Sequence, residues 1–574
     1  MLHRGRVDRT IQELGQELPN RLRREGIPGV AIAIVDANST LWEAGFGLTD
    51  LQHRLPVTPD TLFSLQSCSK TFTATALLLA VQEGLLDLDL PIAEYLPGYH
   101  LQSRFEASPE RSITLRHLLA HKAGLTHEAP LGNNYTAASE AVSFEAHIES
   151  IRQTWLRYPV GQRFAYSNLG IDLAGYILQD VSGLPFAEYV RQKLFIPLGM
   201  TRSTFDFDTL QSMPDRARGH DAFVEAAGVP LPERVPMIPA GGLYASASDV
   251  ARFVRLHLGR GQVDGKRVMD ERILREMVTI PFPGEGQFEG YSLGIAVNRF
   301  RGALLHHHSG GGFGFLSNMQ WYPELGVGIV FLTNSSHHVV QWDLPHGILD
   351  RILGPAPERQ EDVLPESTDG TDASARRAFV GQYVGRLPDS WRVRRNGEHL
   401  EMRRGGSKDT RRMHFYRFNQ AYTQTPLRTS HWSFELDVQG RPVHLEHMDS
   451  GTAYDYNAGP ADPPGAKKAE WRAYVGTYLT LGLGGIPNLM RIQRRHGYLH
   501  LTLGHPARRI ALRLDEYRPG LFFTSTGEAV DFTGEQPSFG GVPVRRIGLG
   551  DEVRQWSVLL RGQIRVWRRR GRDR

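Results

Sequence analysis

Apolar and polar positions follow two different periods along this chain, and the change from one to the other divides it. The first part mixes them. VAIAIV (30–35) is an unbroken apolar run of strand length, as expected of a buried strand. KTFTATALLLAVQEG, beginning at Lys70, has the length and composition of a helix, and Gly84 supplies its stop. LSNMQWYPELGVGIVFLTN (316–334) predicts two strands around a turn at Pro323-Glu324-Leu325-Gly326. The opening MLHRGRVDRTIQELGQELPNRLRREG is spaced as an amphipathic helix. Strands at both ends with helices between predict one α/β unit whose sheet is assembled from distant segments.

Beyond that unit the pattern changes to apolar/polar alternation of period two, and it occurs twice. Arg377-Ala378-Phe379-Val380-Gly381-Gln382-Tyr383 recurs 95 residues later as Arg472-Ala473-Tyr474-Val475-Gly476-Thr477-Tyr478. WRVRRNGEHLEM (391–402) is echoed by MRIQRRHGYLHLTL (490–503), and each alternation is broken by Asn396-Gly397 or His496-Gly497, dipeptides suited to tight hairpins with positive φ. Two copies of a small antiparallel barrel are predicted. The segments 355–375 and 459–468 are rich in Pro, Asp, Ser, Thr or Gly and too poor in apolar residues to fold alone. The expected organisation is a catalytic unit at 1–354, a linker at 355–375, a first barrel at 376–458, a linker at 459–468 and a second barrel at 469–574. The fold class is thus an α/β domain, an antiparallel sheet with flanking helices, followed by two small all-β antiparallel barrels.

Composition narrows this further. With 574 residues, 40% of them apolar and 22% charged, the chain is globular and too long for one ordinary domain. Cys68 is the single cysteine, which excludes an intramolecular disulfide and any zinc site needing two thiolates. No run approaches the length of a membrane span and the N-terminus lacks an apolar signal core, so no membrane partner and a cytoplasmic location are expected. Residues 1–355 carry 31 basic and 37 acidic side chains, net −6, and the remainder 35 and 25, net +10. The arginines of the basic part are interleaved with acids and apolar residues and accompany no nucleic-acid motif. They read as exposed strand faces, and no nucleic-acid partner is expected.

Three short motifs carry candidate chemistry. Ser67-Cys68-Ser69-Lys70 opens a helix, and the i, i+3 spacing places Ser67 and Lys70 on one face. A serine hydroxyl needs a base to take its proton, and a lysine can serve where its surroundings favour the neutral amine. Read alone, the same residues also suit a helix cap with an exposed lysine. Tyr166-Ser167-Asn168 lies after a Pro/Gly turn and before an apolar helix. Tyr166 can relay a proton there and Asn168 can grip a substrate carbonyl or support the lysine; a buried tyrosine with an asparagine cap is the alternative. His308-Ser309-Gly310 ends an apolar strand and runs into Gly311 and Gly312, where a substrate can approach the backbone and find an oxyanion-binding N–H. His306 and His308 share a strand face and His307 points the other way, with no complementary spacing elsewhere that would complete a metal site.

In this order and conjunction the motifs resemble the serine beta-lactamase and penicillin-binding-protein superfamily, in its branch of class C-like serine hydrolases and D-aminopeptidases. The resemblance spans roughly residues 10–350 and includes Ile27-Pro28-Gly29-Val30, Phe63, ITLRHLLAHKAGL (113–125) and PAGGLYASASDVARF (239–253). It implies Ser67 as acylated nucleophile, Lys70 as its base, Tyr166 with His308 beside it in proton transfer to the leaving group, and Asn168 positioning substrate. Gly310 and Gly311 would line the substrate site, with the N–H groups of Ser67 and Gly311 as oxyanion hole. His308 stands where much of the family has lysine, which favours a peptidase, amidase or esterase over an efficient beta-lactamase. His121 and Cys68 look structural.

A class C-like domain followed by two barrels is similar to the three-part layout of bacterial D-aminopeptidases, and the Gly-rich segment LTLGLGGIPN (479–488) is a candidate cover for the cleft. The resemblance therefore implies a D-aminopeptidase or D-amino-acid amidase acting on a small peptide, amide or ester substrate, without a cofactor, with a homodimer as candidate assembly. Alternatives are an esterase, lactonase or peptide cyclase of the same fold, and a non-catalytic ligand-binding or penicillin-sensing module.

Overall fold

The computed structural model describes residues 4–548 apart from 130, 132–141, 221–235, 283–288, 336–339, 355–374, 385–389, 406, 425–428, 437–441, 448–451, 457–468, 482–486, 496–497, 504–509, 525–527 and 541. Its first part is built on a seven-stranded antiparallel sheet. The strands stand in the order Thr40–Gly47, Gly29–Val35, Val327–Thr333, Phe315–Tyr322, Ala303–Gly312, Ala296–Phe300, Gly290–Tyr291. The apolar run at 30–35 pairs with a strand some 300 residues away in sequence, Val30 opposite Thr333 and Val35 opposite Gly328. Its continuous hydrophobicity has a simple cause. Ala31, Ala33 and Val35 enter one core, while Val30, Ile32 and Ile34 enter another on the opposite face.

The second of these cores is closed by Arg4–Glu25, through Val7, Leu14, Leu18 and Leu22, and by Val340–Leu353. The larger core lies under Ser69–Gln82, Asn168–Ser182 and Ala247–Leu258. Ser69–Gln82 is buried nearly all round, and its hydroxyls are satisfied by distant carbonyls: Thr71 donates to Gly294 O at 2.8 Å and Thr73 to Pro239 O at 2.7 Å. Gly84, at φ +74°, ends this helix where expected. The hairpin at 323–326 is also where the pattern placed it, with Tyr322 opposite Val327 and Gly326 at φ +65°.

Among the described residues the rest is chiefly β, as predicted: two nine-stranded antiparallel sheets, each wrapped round its own core. In both, the first strand pairs with the last. Tyr383 stands opposite Tyr456 in one, and Thr477 opposite Ile547 in the other. The sequence repeat has a structural meaning. Tyr383 Oη donates to Phe379 O and Tyr478 Oη to Tyr474 O, both at 2.8 Å, so each copy ties its entry turn to its first strand in the same way. Gly397 turns the first hairpin at φ +61°; His496 and Gly497 lie outside the described residues, between the paired Arg495 and Tyr498. Both expected linkers lie outside them too, but for Ala375.

The second barrel docks on the catalytic body. Arg104 Nη1 donates to Tyr517 O and Arg157 Nη2 to Thr524 O, each at 2.7 Å, and Tyr517 packs edge-on against Phe105 and Trp155. Both arginines belong to the body and both acceptors are barrel carbonyls, so these two contacts are not ion pairs. Of the Gly-rich segment 479–488, residues 479–481 end the strand Gly476–Leu481 and 487–488 begin Pro487–Arg495, while 482–486, and with them the candidate cover, lie outside the described residues. Among the described residues no helix is long and apolar enough to cross a membrane.

Candidate active site

Ser67 sits on a single tight turn, Gln66–Cys68, that leads directly into the helix Ser69–Gln82. Gln66 is held at φ +50°, an uncommon conformation for a residue with a side chain, and its Nε2 donates to Ser64 Oγ at 2.7 Å. The strained residue turns the chain so that Ser67 faces the cleft while Cys68 faces the core. Cys68 Sγ meets His308 O and Ser317 Oγ, both at 3.3 Å, and burial pushes the thiol up to about 12, so it stays protonated.

Lys70 is 0% exposed. Its Nζ lies 3.1 Å from Ser67 Oγ and 2.8 Å from the Ala240 carbonyl, with the Tyr166 ring 5.0 Å away. An exposed lysine beside a helix cap, the other reading of Ser-x-x-Lys, is therefore not what the chain builds. Nζ donates both to Ser67 Oγ and to the Ala240 carbonyl, which satisfies it in a site closed to water.

His308 stands on Ala303–Gly312, opposite Met319. Its Nδ1 lies 2.7 Å from the Ser309 carbonyl, which fixes the proton there, so Nε2 accepts from Tyr291 Oη at 2.8 Å. Burial lowers His308 to about 3, and the ring is neutral. His121, at φ +55°, is likewise held neutral by burial; its Nδ1 accepts from Ser167 N–H, and its ring packs on Tyr166 and Tyr291 at 4.4 and 4.7 Å. It props Tyr166 from behind.

Ser67, Tyr166, Tyr291, His308, Gly310 and Gly311 line one cleft of about 380 Å³. His306 turns into the core against Trp321, and His307, on the opposite strand face, reaches the cleft wall with Asn298 at 2.8 Å. Gly310 is required by space: a Cβ there would sit 2.1 Å from Leu65 O and 2.9 Å from Ser67 N, both backbone atoms. Gly310→Ala is therefore expected to displace the Ser67 turn and slow acylation by ~10²-fold, measured as the rate of labelling by a serine-reactive probe, while the barrels' folding is untouched.

Asn168 is placed differently from expectation. Ser167, not Asn168, caps the helix, accepting from Gly170 N–H. The Asn168 amide nitrogen donates to Glu128 Oε1 and not to Lys70, and its Oδ1 is buried with no hydrogen-bond partner among the described residues. Burial pushes the Glu128 carboxyl up to about 8. His127 lies between Glu128 and Glu528 of the second barrel, 3.5 and 4.0 Å from their carboxylates, with its ring 5.7 Å from Tyr166.

The sequence profile of the Beta-lactamase family matches residues 7–345, more than half of the chain and all of the elements that hold this site. The chain belongs to the Beta-lactamase family. Among its relatives is protein flp of Staphylococcus aureus, 26% identical over 330 residues; the match covers 57% of this chain and 64% of that protein. The unguisins hydrolase ungD' of Aspergillus campestris is 26% identical over 366 residues, covering 61% of this chain and 67% of its own length. The solved structure of the octameric penicillin-binding protein homologue from Pyrococcus abyssi aligns with a TM-score of 0.52 at 25% identity. It covers 76% of this chain and 98% of its own, so its similarity reaches beyond the segment matched by the family profile.

Tyr291, Glu128 and the Ala240 carbonyl were not visible as site residues in the sequence. Tyr291 is on a two-residue strand, Gly290–Tyr291, at the sheet edge, and only pairing across Ala296–Phe300 brings it beside His308. Glu128 carries no local signal, and Ala240 lies in the segment 239–253 of the resemblance with nothing in its side chain to mark its carbonyl.

Proposed function

We propose that this protein is a serine hydrolase of short amides, a D-aminopeptidase or D-amino-acid amidase, working through an acyl-Ser67 intermediate. The observation that carries the reading is the fully buried Lys70, with Nζ 3.1 Å from Ser67 Oγ and the Ala240 carbonyl on its other side. The neutral amine takes the hydroxyl proton as Oγ attacks the substrate carbonyl. The N–H groups of Ser67 and Gly311 receive the developing oxyanion in a cleft where charge is poorly screened. The Lys70 ammonium, with Tyr166 beside it, returns the proton to the departing amine, and water then releases the acyl group by the same route.

His308 has a different part from a proton carrier. A neutral imidazole whose Nδ1–H is committed to Ser309 holds the Tyr291 hydroxyl at the cleft wall. The restriction to short substrates is supported by the second barrel, whose Glu528 stands one side chain, His127, away from Tyr166. The preference for D-residues is supported by the three-part layout, and hydrolysis by the name of one relative, a hydrolase.

A panel of D- and L-aminoacyl anilides, short-chain esters and one cephalosporin tests the reading. Expected are turnover of the D-anilides at least ~10-fold above the L-series, and a mass increase of one acyl group on Ser67. Rapid ester cleavage without amide turnover would make the protein an esterase, and cephalosporin hydrolysis at a matching rate would return it to the beta-lactamases.

A further inference from the structure

His147 and Asp172 form a pair sealed from solvent, both side chains 0% exposed, with Nε2 and Oδ2 3.0 Å apart. His147 comes from the helix Phe144–Ile151 and Asp172 from the helix Asn168–Ser182. The other Asp172 oxygen, Oδ1, accepts from Ala240 N–H at 2.9 Å, and the Ala240 carbonyl accepts from Lys70 Nζ at 2.8 Å. One residue thus connects a buried carboxylate to the lysine beside Ser67.

Packing alone does not call for this. Ile171, Leu173 and Ile177 on the same helix are apolar and wholly buried, and a buried ionic or polar pair is seldom more stable than well-packed apolar side chains. What the carboxylate adds is a fixed acceptor for Ala240 N–H. The single turn Ile238–Gly241 is tied to the helix Ser69–Gln82 by Thr73 Oγ1 on Pro239 O, and Asp172 holds it from the opposite side. The Ala240 carbonyl is the atom these ties place.

We propose that the His147–Asp172 pair is a positioning device for Lys70: it fixes the Ala240 carbonyl, and through it the amine that faces Ser67. The inference rests on the reading of Lys70 as the base for Ser67. The other groups facing Lys70 are Tyr166, His121, His308, Cys68 and Glu128. The hydrogen bonds of Nζ go to Ser67 Oγ and the Ala240 carbonyl, and Asp172 holds the residue that bears the second of these acceptors.

Two substitutions separate positioning from plain support of the fold. Asp172→Asn keeps an oxygen for Ala240 N–H but removes the charge. Asp172→Ala removes both. With an aminoacyl anilide, Asp172→Ala is expected to lower plateau kcat ~10–30-fold with KM changed less than ~2-fold, because the base is misplaced while the cleft is intact. Asp172→Asn should restore plateau kcat to within ~3-fold, because an oxygen acceptor for Ala240 N–H is kept. A lower Tm with unmoved kcat in Asp172→Ala overturns the inference. If Asp172→Ala does not fold, a plateau kcat of Asp172→Asn more than ~10-fold below the parent, with the acceptor for Ala240 N–H kept, overturns it alone. Lys70→Ala run in parallel distinguishes the two levels: retained turnover there overturns the reading of the base and this inference with it, whereas loss of turnover there with neutral Asp172 variants overturns only this inference.

Discussion

Ser67→Ala is expected to lower kcat by at least ~10³-fold, because the covalent route is lost and only binding and the oxyanion site remain. The fold should survive. Ser67 is half-buried at the cleft, and its Oγ has the Lys70 amine as partner, so the substitution removes one contact and opens no core cavity. The control is thermal unfolding, with Tm expected within about 2 °C of the parent. Loss of acyl-adduct mass together with loss of turnover identifies the nucleophile. Near-normal turnover in a clean preparation removes the acyl-serine mechanism altogether, since Ser67 is the one serine three residues ahead of a lysine.

Lys70→Arg is expected to be almost as damaging as Lys70→Ala, at ~10³-fold or more in kcat/KM. Arginine keeps the positive charge but does not lose a proton at any working pH, so it cannot receive one from Ser67. It also does not fit. Lys70 is sealed between Ser67, Ala240 and the Tyr166 ring, and the longer planar group has no space there without moving the turn Ile238–Gly241. Because a misfit would also lower activity, the measurement pairs steady-state kinetics with burst labelling: a base role predicts slow acylation and slow deacylation together. An arginine variant with most of the parent activity would make Lys70 an electrostatic partner only.

Much of this arrangement is local and so was written in the sequence. Ser67 and Lys70 meet because the i, i+3 spacing holds from the tight turn Gln66–Cys68 into the first turn of Ser69–Gln82 and brings both side chains to one face. The run at 30–35 is apolar throughout because both faces of that strand are covered. The barrels announce themselves because the same tyrosine, four residues after the same carbonyl, closes each entry turn. The glycines after His308 mark a place where backbone must pass close to backbone, as Gly310 does over Ser67. What the tertiary structure alone decided is the company these residues keep. His308 holds Tyr291 because strand pairing across the sheet edge sets them side by side. Lys70 rests on the carbonyl of Ala240, 170 residues away, and Ala240 on Asp172. Asn168 turns to Glu128, and Glu528 arrives from a barrel nearly 400 residues further along. No spacing rule encodes such contacts, since each depends on sheet register and domain docking set jointly by hundreds of weak interactions, while helical periodicity needs only its nearest neighbours.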